Sequence, residues 1–394
     1  MKKQRDSLLR FAQQNLNQCY PNQLFPLLQA ENANSSDPYS DDELYAIVRE
    51  AIVAGPIRPP LICASASAIN LDDVQEPTFY IPQLLAEGVT FLNSPPKGGK
   101  SRLFMQMALA LCNGDTFMGR RCKRSGVLYL ALEDEHADFE NRLRLFLQGE
   151  VAPSNLYFAT LEDFEYEPPT LERDELIEVV EKNLIKHPEI KIVLIDVFGV
   201  IRSKRQRGEE FMDTERRDIQ TLIKLAARNA IAVVVAHHVS HSKRRGQLET
   251  VGSGAGSYVV AATVHAEMLL YKSKDSNHHV FSVQGRRMPL QSFAVQDVFP
   301  RWIYCGNDKE YVAANDPLTI TIKHIVNNAE GDKWRGSSTD IVKYARNHDL
   351  PAIAEKPNRN TFTPKLIKQL ELLGIRYQRI NNGSGAVKHE FQRI

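Results

Sequence analysis

Residues 94–101 read Ser-Pro-Pro-Lys-Gly-Gly-Lys-Ser, residue types that can bind the phosphates of a nucleoside triphosphate. Gly98 and Gly99 allow a tight turn whose backbone N–H groups point at phosphate oxygens. Lys100 can reach the β- and γ-phosphates, and the Ser101 hydroxyl can bind Mg²⁺. A chance Gly-Lys-Ser in a surface turn is the alternative, but the sequence predicts a strand before the turn and a helix after it. The predicted phosphate-binding residues are Ser94, Pro95, Pro96, Lys97, Gly98, Gly99, Lys100 and Ser101.

The composition limits the classes of protein to which the chain can belong. Its 394 residues allow two or three domains, and a hydrophobic content of 43% supports a buried core. None of the five cysteines forms a Cys-x-x-Cys pair, which argues against a disulfide framework and a zinc knuckle. The basic N-terminus is not followed by the apolar stretch of a signal peptide, and no run approaches the roughly 20 apolar residues of a membrane helix. We expect a soluble, cytoplasmic protein.

Between residues 80 and 305, short apolar runs alternate with stretches of helical periodicity. Continuous apolar strands separated by helices predict an α/β fold with a mostly parallel central sheet that is covered on both faces. Ligands of such sheets bind beyond the carboxyl ends of the strands. The predicted strands are residues 89–92, 127–132, 192–195, 231–236, 268–270 and 280–283, and the predicted helices are residues 101–113, 171–186 and 209–229.

Carboxylates follow the second and third of these predicted strands. Asp196 fits the second carboxylate that is associated with Mg²⁺ in phosphate-loop enzymes, and with Ser101 it forms the predicted metal site. Glu133 is placed to act as a general base on the attacking water. Asp134 and Glu135 are alternatives for that role. The alternative for Asp196 is that it only caps a turn. The alternative for the three carboxylates after the second strand is that they form a solvated acidic turn with no catalytic role.

Two histidines, His237 and His238, follow the fourth predicted strand. No third ligand stands at metal spacing, so a metal site is disfavoured. A polar side chain at this position can hydrogen-bond the γ-phosphate or its water and transmit hydrolysis to the loop that follows. Histidines that merely face a turn are the alternative.

Two basic segments follow predicted strands at the same edge of the sheet. A basic loop coupled to a nucleotide sensor is what a motor acting on nucleic acid needs, so we predict that both segments contact nucleic acid. A charged segment is often only solvated surface, which is the alternative. The residues concerned are Arg202, Lys204 and Arg205 in the first segment and Lys243, Arg244 and Arg245 in the second.

Arg286 follows the last predicted strand, within Gln284-Gly285-Arg286-Arg287. An arginine here could bind the γ-phosphate held by a neighbouring subunit and stabilise the charge of the transition state in trans. A surface salt bridge is the alternative for either arginine.

Residues 317–394 differ from the rest, with 13 basic and 7 acidic residues. The pattern predicts, in order, helices at 318–328, 338–347 and 363–373 and strands at 376–380 and 387–392, the last two joined by a glycine-containing turn. Three helices and a β-hairpin predict a winged helix-turn-helix whose third helix and wing contact nucleic acid. A winged helix that docks protein is the alternative. The predicted phosphate contacts are Lys365, Lys368, Arg376, Arg379 and Lys388.

The first 70 residues predict a helical accessory region. One amphipathic helix is expected at residues 6–17, and Ser40 with Glu43 is expected to cap a second that ends near residue 54. This region carries no predicted chemistry and is interpreted as a docking or oligomerisation element. The predicted domains are residues 1–70, 71–312 and 313–394.

The stretch from residue 71 to about residue 295 resembles the RecA-fold ATPases grouped with RepA-type plasmid and phage replicative helicases. The motifs that carry the resemblance are residues 94–101, Gly114-Asp-Thr-Phe-Met-Gly119, Gly126-Val-Leu-Tyr-Leu-Ala-Leu-Glu-Asp134, Ile195-Asp196, His237-His238, Gly252-Ser253 and Val283-Gln-Gly-Arg286. The resemblance implies a RecA-like P-loop NTPase core in a ring, commonly hexameric, that hydrolyses ATP with Mg²⁺ at subunit interfaces and moves along single-stranded DNA. The chain departs from the family at Ser94, which replaces glycine, and at His265, where the family often has aspartate.

The resemblance also implies a role for each motif residue. Lys100 and Ser101 would bind phosphate and Mg²⁺, Glu133 would be the base, Asp196 the Walker B carboxylate, one of His237 and His238 the sensor, and Arg286 the arginine finger. The sequence therefore predicts an ATP-dependent DNA helicase or translocase of a mobile element, with replication proteins as further partners and no membrane. A non-unwinding ATPase that loads or regulates replication proteins, and a DNA-binding regulator, are the alternatives.

Overall fold

The apolar runs between residues 80 and 305 form strands in the computed structural model of the chain, and helices lie between them. The structure describes residues 2–16, 21–35, 37–54, 66, 76–205, 209–238, 258–273, 278–329, 331, 333–353, 357, 361–381 and 387–394. The chain divides into two units, residues 1–271 with 282–290 and 297–302, and residues 272–281 with 291–296 and 303–394.

The first unit contains a large parallel sheet whose carboxyl ends share one edge. The first ten strands of the chain are β1 (Phe79–Ile81), β2 (Leu85–Ala86), β3 (Gly88–Ser94), β4 (Thr116–Phe117), β5 (Arg120–Arg121), β6 (Gly126–Ala131), β7 (Leu156–Thr160), β8 (Ile190–Asp196), β9 (Ala232–His238) and β10 (Ala266–Lys272). The pairs β1-β2 and β4-β5 form two separate antiparallel sheets. The other six pair in the order β10-β3-β9-β8-β6-β7, all parallel. The prediction of a mostly parallel sheet is confirmed. The sequence missed β7, because it is an edge strand with only its last residue buried and therefore lacks a continuous apolar run.

The helices of the first unit follow the predicted stretches closely where those stretches are apolar on one face. They are α1 (Lys2–Asn15), α2 (Pro21–Ala33), α3 (Asp41–Ala54), α4 (Lys100–Asn113), α5 (His136–Leu147), α6 (Glu175–Lys186), α7 (Phe198–Ile201), α8 (Phe211–Asn229) and α9 (Tyr258–Thr263). The sequence missed α2, which contains Pro26, a residue that removes a helical hydrogen bond. In the described part of the chain, no helix has both the length and the apolar composition that crossing a membrane requires.

The three N-terminal helices pack around their own apolar core, which includes Leu24, Leu28 and Ile47. The predicted cap at the start of α3 is present, because the backbone N–H of Ser40 donates to the Glu43 carboxylate at 2.9 Å. Ile185 of α6 packs against this core, so the helices are attached to the sheet-containing part of the unit through an apolar contact.

A carboxyl group is buried on α6 near this attachment. Glu181 is 6% exposed, and its Oε1 atom has no hydrogen-bond partner among the described residues. Burial raises the pKa of the Glu181 carboxyl to about 7, against an opposing effect of the nearby Arg228. Because the folded pKa lies above the unfolded value, the folded state binds more protons between these two values, and stability falls as pH rises through that range.

The substitution Glu181→Gln is therefore expected to stabilise the protein at about pH 8 by about 2 kcal/mol, because it removes a buried charge. The advantage should be almost lost near pH 4.5, where the folded-state carboxyl is neutral and only about half of the unfolded-state carboxyls are ionised. Urea unfolding at the two pH values measures it. Glu178→Gln, one turn earlier on α6 and in an ion pair with Arg49, is the matched control and should change stability by less than about 1 kcal/mol. A Glu181→Gln protein no more stable than wild type at pH 8 would contradict the prediction.

The second unit combines helices with a small antiparallel sheet. Its elements are the helices α10 (Asp308–Asn315), α11 (Pro317–Asn327), α12 (Ser338–Asn347) and α13 (Pro364–Leu372) and the strands β14 (Lys333–Gly336), β15 (Ile375–Asn381) and β16 (Val387–Arg393), while β11 (His279–Gly285), β12 (Met288–Val298) and β13 (Arg301–Asn307) contribute residues to both units. The small sheet has the order β14-β16-β15. Helices and strands lie where the tail sequence predicted them, except that α10 and the short, charged β14 were missed.

Candidate nucleotide-binding site

The predicted phosphate loop joins the end of β3 to the start of α4. Lys97 has φ of 58° and Gly99 has φ of 80°, so the chain makes a left-handed turn before the helix. A Cβ atom at Gly98 would lie 2.1 Å from Oγ of Ser94 and 2.8 Å from the carbonyl oxygen of Pro95. Only glycine fits this position, which leaves the loop backbone close enough to approach phosphate oxygens.

Lys100 begins α4, and its side chain is only 5% exposed. The Nζ atom donates to two carbonyl oxygens of the loop at 3.2 and 3.3 Å and lies 2.9 Å from Nδ1 of His238. Burial lowers the pKa of the amine, and the charges of Asp196 and Glu133 oppose that change. Two carboxylates from other strands therefore act electrostatically on the amine that would contact a phosphate.

Asp196 ends β8 and is buried, with 5% of the residue exposed. Its carboxylate accepts hydrogen bonds from the Tyr129 hydroxyl at 3.2 Å and from the Ser101 side chain. Burial raises the pKa of this carboxyl, and the two hydrogen bonds oppose the rise. A hydroxyl and a carboxylate in contact are oxygen ligands of the kind that Mg²⁺ takes in phosphate-loop sites, so Ser101 and Asp196 fit the ion.

The three carboxylates after β6 have different surroundings. Asp134 makes a bidentate ion pair with Arg142 at 2.7 and 3.0 Å, and Glu135 precedes the first residue of α5 without capping it through its side chain. The Glu133 side chain is 50% exposed, and its Oε2 atom lies 3.8 Å from Nε2 of His238. Of the three, Glu133 is the carboxylate near His238, the residue that contacts the Lys100 amine. The Asp134 carboxylate is already paired with Arg142.

The two histidines at the end of β9 separate to different sides because neighbouring residues of a strand alternate. His238 lies between Lys100 and Glu133. The Nδ1 atom of His237 lies 3.1 Å from Oδ1 of Asn93, which is its register partner on β3. Burial lowers the pKa of His237 to about 4, so this imidazole is neutral at physiological pH. Because successive side chains of a strand point to opposite sides, the sequence alone could have indicated that only one of the two histidines faces Lys100.

Asn93 connects His237 to a further carboxylate that sequence reasoning missed. Its Nδ2 atom donates to Oε1 of Glu267 on β10 at 3.2 Å, while its Oδ1 atom faces His237. This arrangement requires His237 to carry its proton on Nδ1, because the amide oxygen only accepts. A polar chain therefore runs across three neighbouring strands directly behind the phosphate loop.

Trp302 lies against the phosphate loop, although it is distant from it in sequence. Its indole Nε1 donates to the carbonyl oxygen of Gly99 at 3.3 Å, and a Cβ atom at Gly99 would lie 2.7 Å from the indole. Arg102 packs over the same indole and pairs with Asp297 at 2.6 Å. A lone tryptophan followed by no recognisable motif gave no sequence signal for this contact.

Arg286 lies at the opposite end of the strands from the phosphate loop. Its backbone N–H donates to the carbonyl oxygen of His265 at 2.9 Å, and the backbone N–H of His265 donates to Val89, near the start of β3. The seven residues of β3 span about 20 Å, so Arg286 lies beyond reach of the loop in its own chain. Its exposed guanidinium donates to the carbonyl of Thr263 at 3.1 Å.

The predicted nucleic-acid contacts lie in several places. Arg202 packs over the rings of Phe198 and Phe211, with the guanidinium carbon 4.2 Å from the Phe211 ring centroid, so it is not a free surface cation. Lys204 and Arg205 are exposed. Lys243, Arg244 and Arg245 lie outside the described residues.

The predicted contacts of the tail do not share one surface. Lys365 and Lys368 are residues of α13, and the Lys368 side chain is exposed. Arg379 pairs with His389 in the sheet register, whereas Lys388 pairs with Ile380. Adjacent pairs face opposite sides of a sheet, so Arg379 and Lys388 point away from each other.

Comparison with known families found a similarity in part of the first unit. Residues 63–244 match the model of a family described as an AAA domain, a family of P-loop ATPases. This range includes the phosphate loop, Glu133, Asp196 and both histidines, and it ends before Arg286 and the tail. A comparison with curated proteins found no match to the chain. The match and the mixed α/β sheet fit a P-loop ATPase core, which suggests nucleotide hydrolysis.

Proposed function

We propose that the chain is an ATP-dependent DNA helicase or translocase of a plasmid or phage, active as a ring that hydrolyses ATP between subunits and moves along single-stranded DNA. The observation that carries the ATPase part is the convergence of Lys100, Ser101, Asp196 and Glu133 at the carboxyl ends of β3, β8 and β6. The ring, the single-stranded DNA and the mobile element rest on the family resemblance of residues 71–295.

Each of these side chains has a chemical role in the proposed reaction. Mg²⁺ held by Ser101 and Asp196 would neutralise charge on the β- and γ-phosphates. Lys100 contacts the same phosphates, and Glu133 accepts a proton from the water that attacks the γ-phosphorus. The bond from that phosphorus to the bridging oxygen of ADP breaks, which releases ADP and phosphate. His238 touches both the Lys100 amine and the Glu133 carboxylate, and it is therefore our candidate for the sensor.

The proposed contact with DNA is supported by basic residues in both units. Lys204 and Arg205 are exposed in the segment that follows β8 and α7. In the second unit, three helices followed by a β-hairpin support the interpretation of residues 313–394 as a winged helix. We propose that this unit engages DNA while the ATPase unit moves along a single strand.

The proposal is tested by ATP hydrolysis with and without single-stranded DNA and by strand displacement from a forked duplex. Lys100→Ala is expected to weaken nucleotide binding about 10- to 100-fold, because it removes charge-assisted hydrogen bonds to phosphate. Equilibrium binding of a fluorescent ATP analogue measures this loss. Lys182→Ala, at an exposed lysine of α6, is the control and should bind within about threefold of wild type.

The outcomes separate the candidate activities. Displacement by wild type that Lys100→Ala lacks is the expected result. DNA-stimulated hydrolysis without displacement would instead indicate an ATPase that loads or regulates other replication proteins. Nucleotide affinity that is unchanged in Lys100→Ala would contradict the assignment of the loop.

A further inference from the structure

We propose that the outer face of the three-stranded sheet in the second unit binds the phosphate backbone of duplex DNA. This inference rests on the proposed function and names the surface through which that unit would contact nucleic acid. The tail sequence alone placed these contacts on the third helix and the hairpin.

The register of the sheet decides which side chains share this face. Arg335 pairs with Glu390, and Glu390 pairs with Gln378 on the other side, so these three form one row. The neighbouring rows on the same face are Lys333, Gln392 and Arg376 on one side and Lys388 and Ile380 on the other. Alternation along each strand therefore brings basic side chains from all three strands to one side.

The opposite face of the sheet belongs to the apolar core of the unit. Phe391 and Ile375 are buried there among residues of α11 and α13, and Trp334 and Tyr377 pack against the same cluster. Because that face is occupied, the outer face is the one on which a partner can lie. Arg379 is excluded from it by the register.

The outer face carries an excess of exposed positive charge. Lys333, Arg335, Arg376 and Lys388 are all exposed, and among the described residues of this face only Glu390 is acidic. Glu390 is 5% exposed and forms an ion pair with Arg335, so its charge is already compensated within the sheet. Lys333 and Arg376 lie two strands apart, at about 10 Å, and Lys333 and Arg335 lie about 7 Å apart along β14, spacings that suit a polyanion.

The side chains also favour duplex over single-stranded DNA. Proteins that bind single strands stack the bases on aromatic side chains. The described residues of this face include no aromatic side chain, and their amides, Gln378 and Gln392, can donate to phosphate or sugar oxygens. Contacts of this kind position a protein on a duplex without reading its sequence.

The test compares two charge reversals in the full-length protein. Lys333→Glu with Arg376→Glu changes one row of the face, whereas Lys323→Glu with Arg346→Glu makes the same change in charge at two exposed helical residues off the face. Binding to a labelled duplex of about 20 base pairs and to one of its strands is measured by anisotropy, without ATP, from about 50 to 200 mM salt. The face variant should bind duplex at least about 10-fold more weakly, with a salt slope smaller by about 2, and the off-face variant within about threefold of wild type.

Three results would overturn the inference. They are an unchanged duplex affinity of the face variant, an equal loss in both variants, and a loss that is as large for the single strand as for the duplex. The neutral pair Lys333→Gln and Arg376→Gln, expected to show a smaller loss in the same direction, keeps the test valid if the reversal disturbs folding. Because ATP is absent, a protein that fails to displace strands but passes this test would count against the proposed motor activity alone.

Discussion

Replacing Glu133 by glutamine is expected to lower the rate of ATP hydrolysis about 100- to 10,000-fold while nucleotide binding stays near that of wild type. Glutamine keeps the size and polarity of the side chain, but its amide cannot accept the proton of the attacking water. Glu133 is half exposed and lies 3.8 Å from His238, which contacts the Lys100 amine, so the carboxylate is close to the phosphate-binding group without being committed to a strong pair. Phosphate release at saturating ATP, together with equilibrium binding of a fluorescent analogue, measures both quantities.

The neighbouring carboxylates supply the matched controls. Glu135→Gln changes an exposed residue at the start of α5 and should leave hydrolysis within about threefold of wild type. Asp134→Asn breaks the bidentate pair with Arg142, so it should lower stability as well as activity. If Glu133→Gln hydrolysed ATP normally and Glu135→Gln did not, the general base would have to be reassigned.

The parallel sheet and the edge that carries the site could be predicted from the sequence, because both depend on local patterns. The strands β3 and β6 are fully buried and β9 is buried over its first five residues, so the sequence shows an apolar run for each, and the side chain after each run falls at the carboxyl edge of the sheet. Asp196 is therefore found beside Ser101, as expected from two motifs almost 100 residues apart in sequence.

Contacts set by tertiary packing could not be predicted in the same way. Nothing near Trp302 in the sequence indicates that its indole covers Gly99, since that contact depends on the path of the chain after β12. Arg202 was predicted to contact nucleic acid, and its packing over the rings of Phe198 and Phe211 had no signal in the sequence, because the fold brings the rings to its guanidinium. Arg379 and Lys388 point in opposite directions because of the register in which β15 and β16 pair. The sequence predicted both strands and a turn between them, but it did not determine which residues pair.

Replacing Arg286 by alanine is expected to lower the rate of ATP hydrolysis about 1,000-fold or more while each subunit still binds ATP. Arg286 lies about 20 Å from the phosphate loop of its own chain, measured along β3, so it can stabilise a transition state only in a neighbouring subunit. Such an effect requires a head-to-tail interface, in which the loop edge of one subunit meets the Arg286 end of the next. Arg287→Ala is the control, since that guanidinium donates to the carbonyl of Glu87 within its own chain at 3.1 Å.

Mixing two inactive proteins separates action in trans from a structural role of Arg286. Arg286→Ala subunits retain Glu133, and Glu133→Gln subunits retain Arg286, so a mixed ring contains some interfaces with both groups intact. With random assembly at equal amounts, about a quarter of the interfaces are complete, and the mixture should regain a corresponding fraction of wild-type hydrolysis. A mixture as inactive as its components, in rings shown by light scattering to contain both, would mean that Arg286 does not act across the interface. Restoration would place the missing positive charge of the site on the adjacent subunit, which makes ring assembly a condition for catalysis.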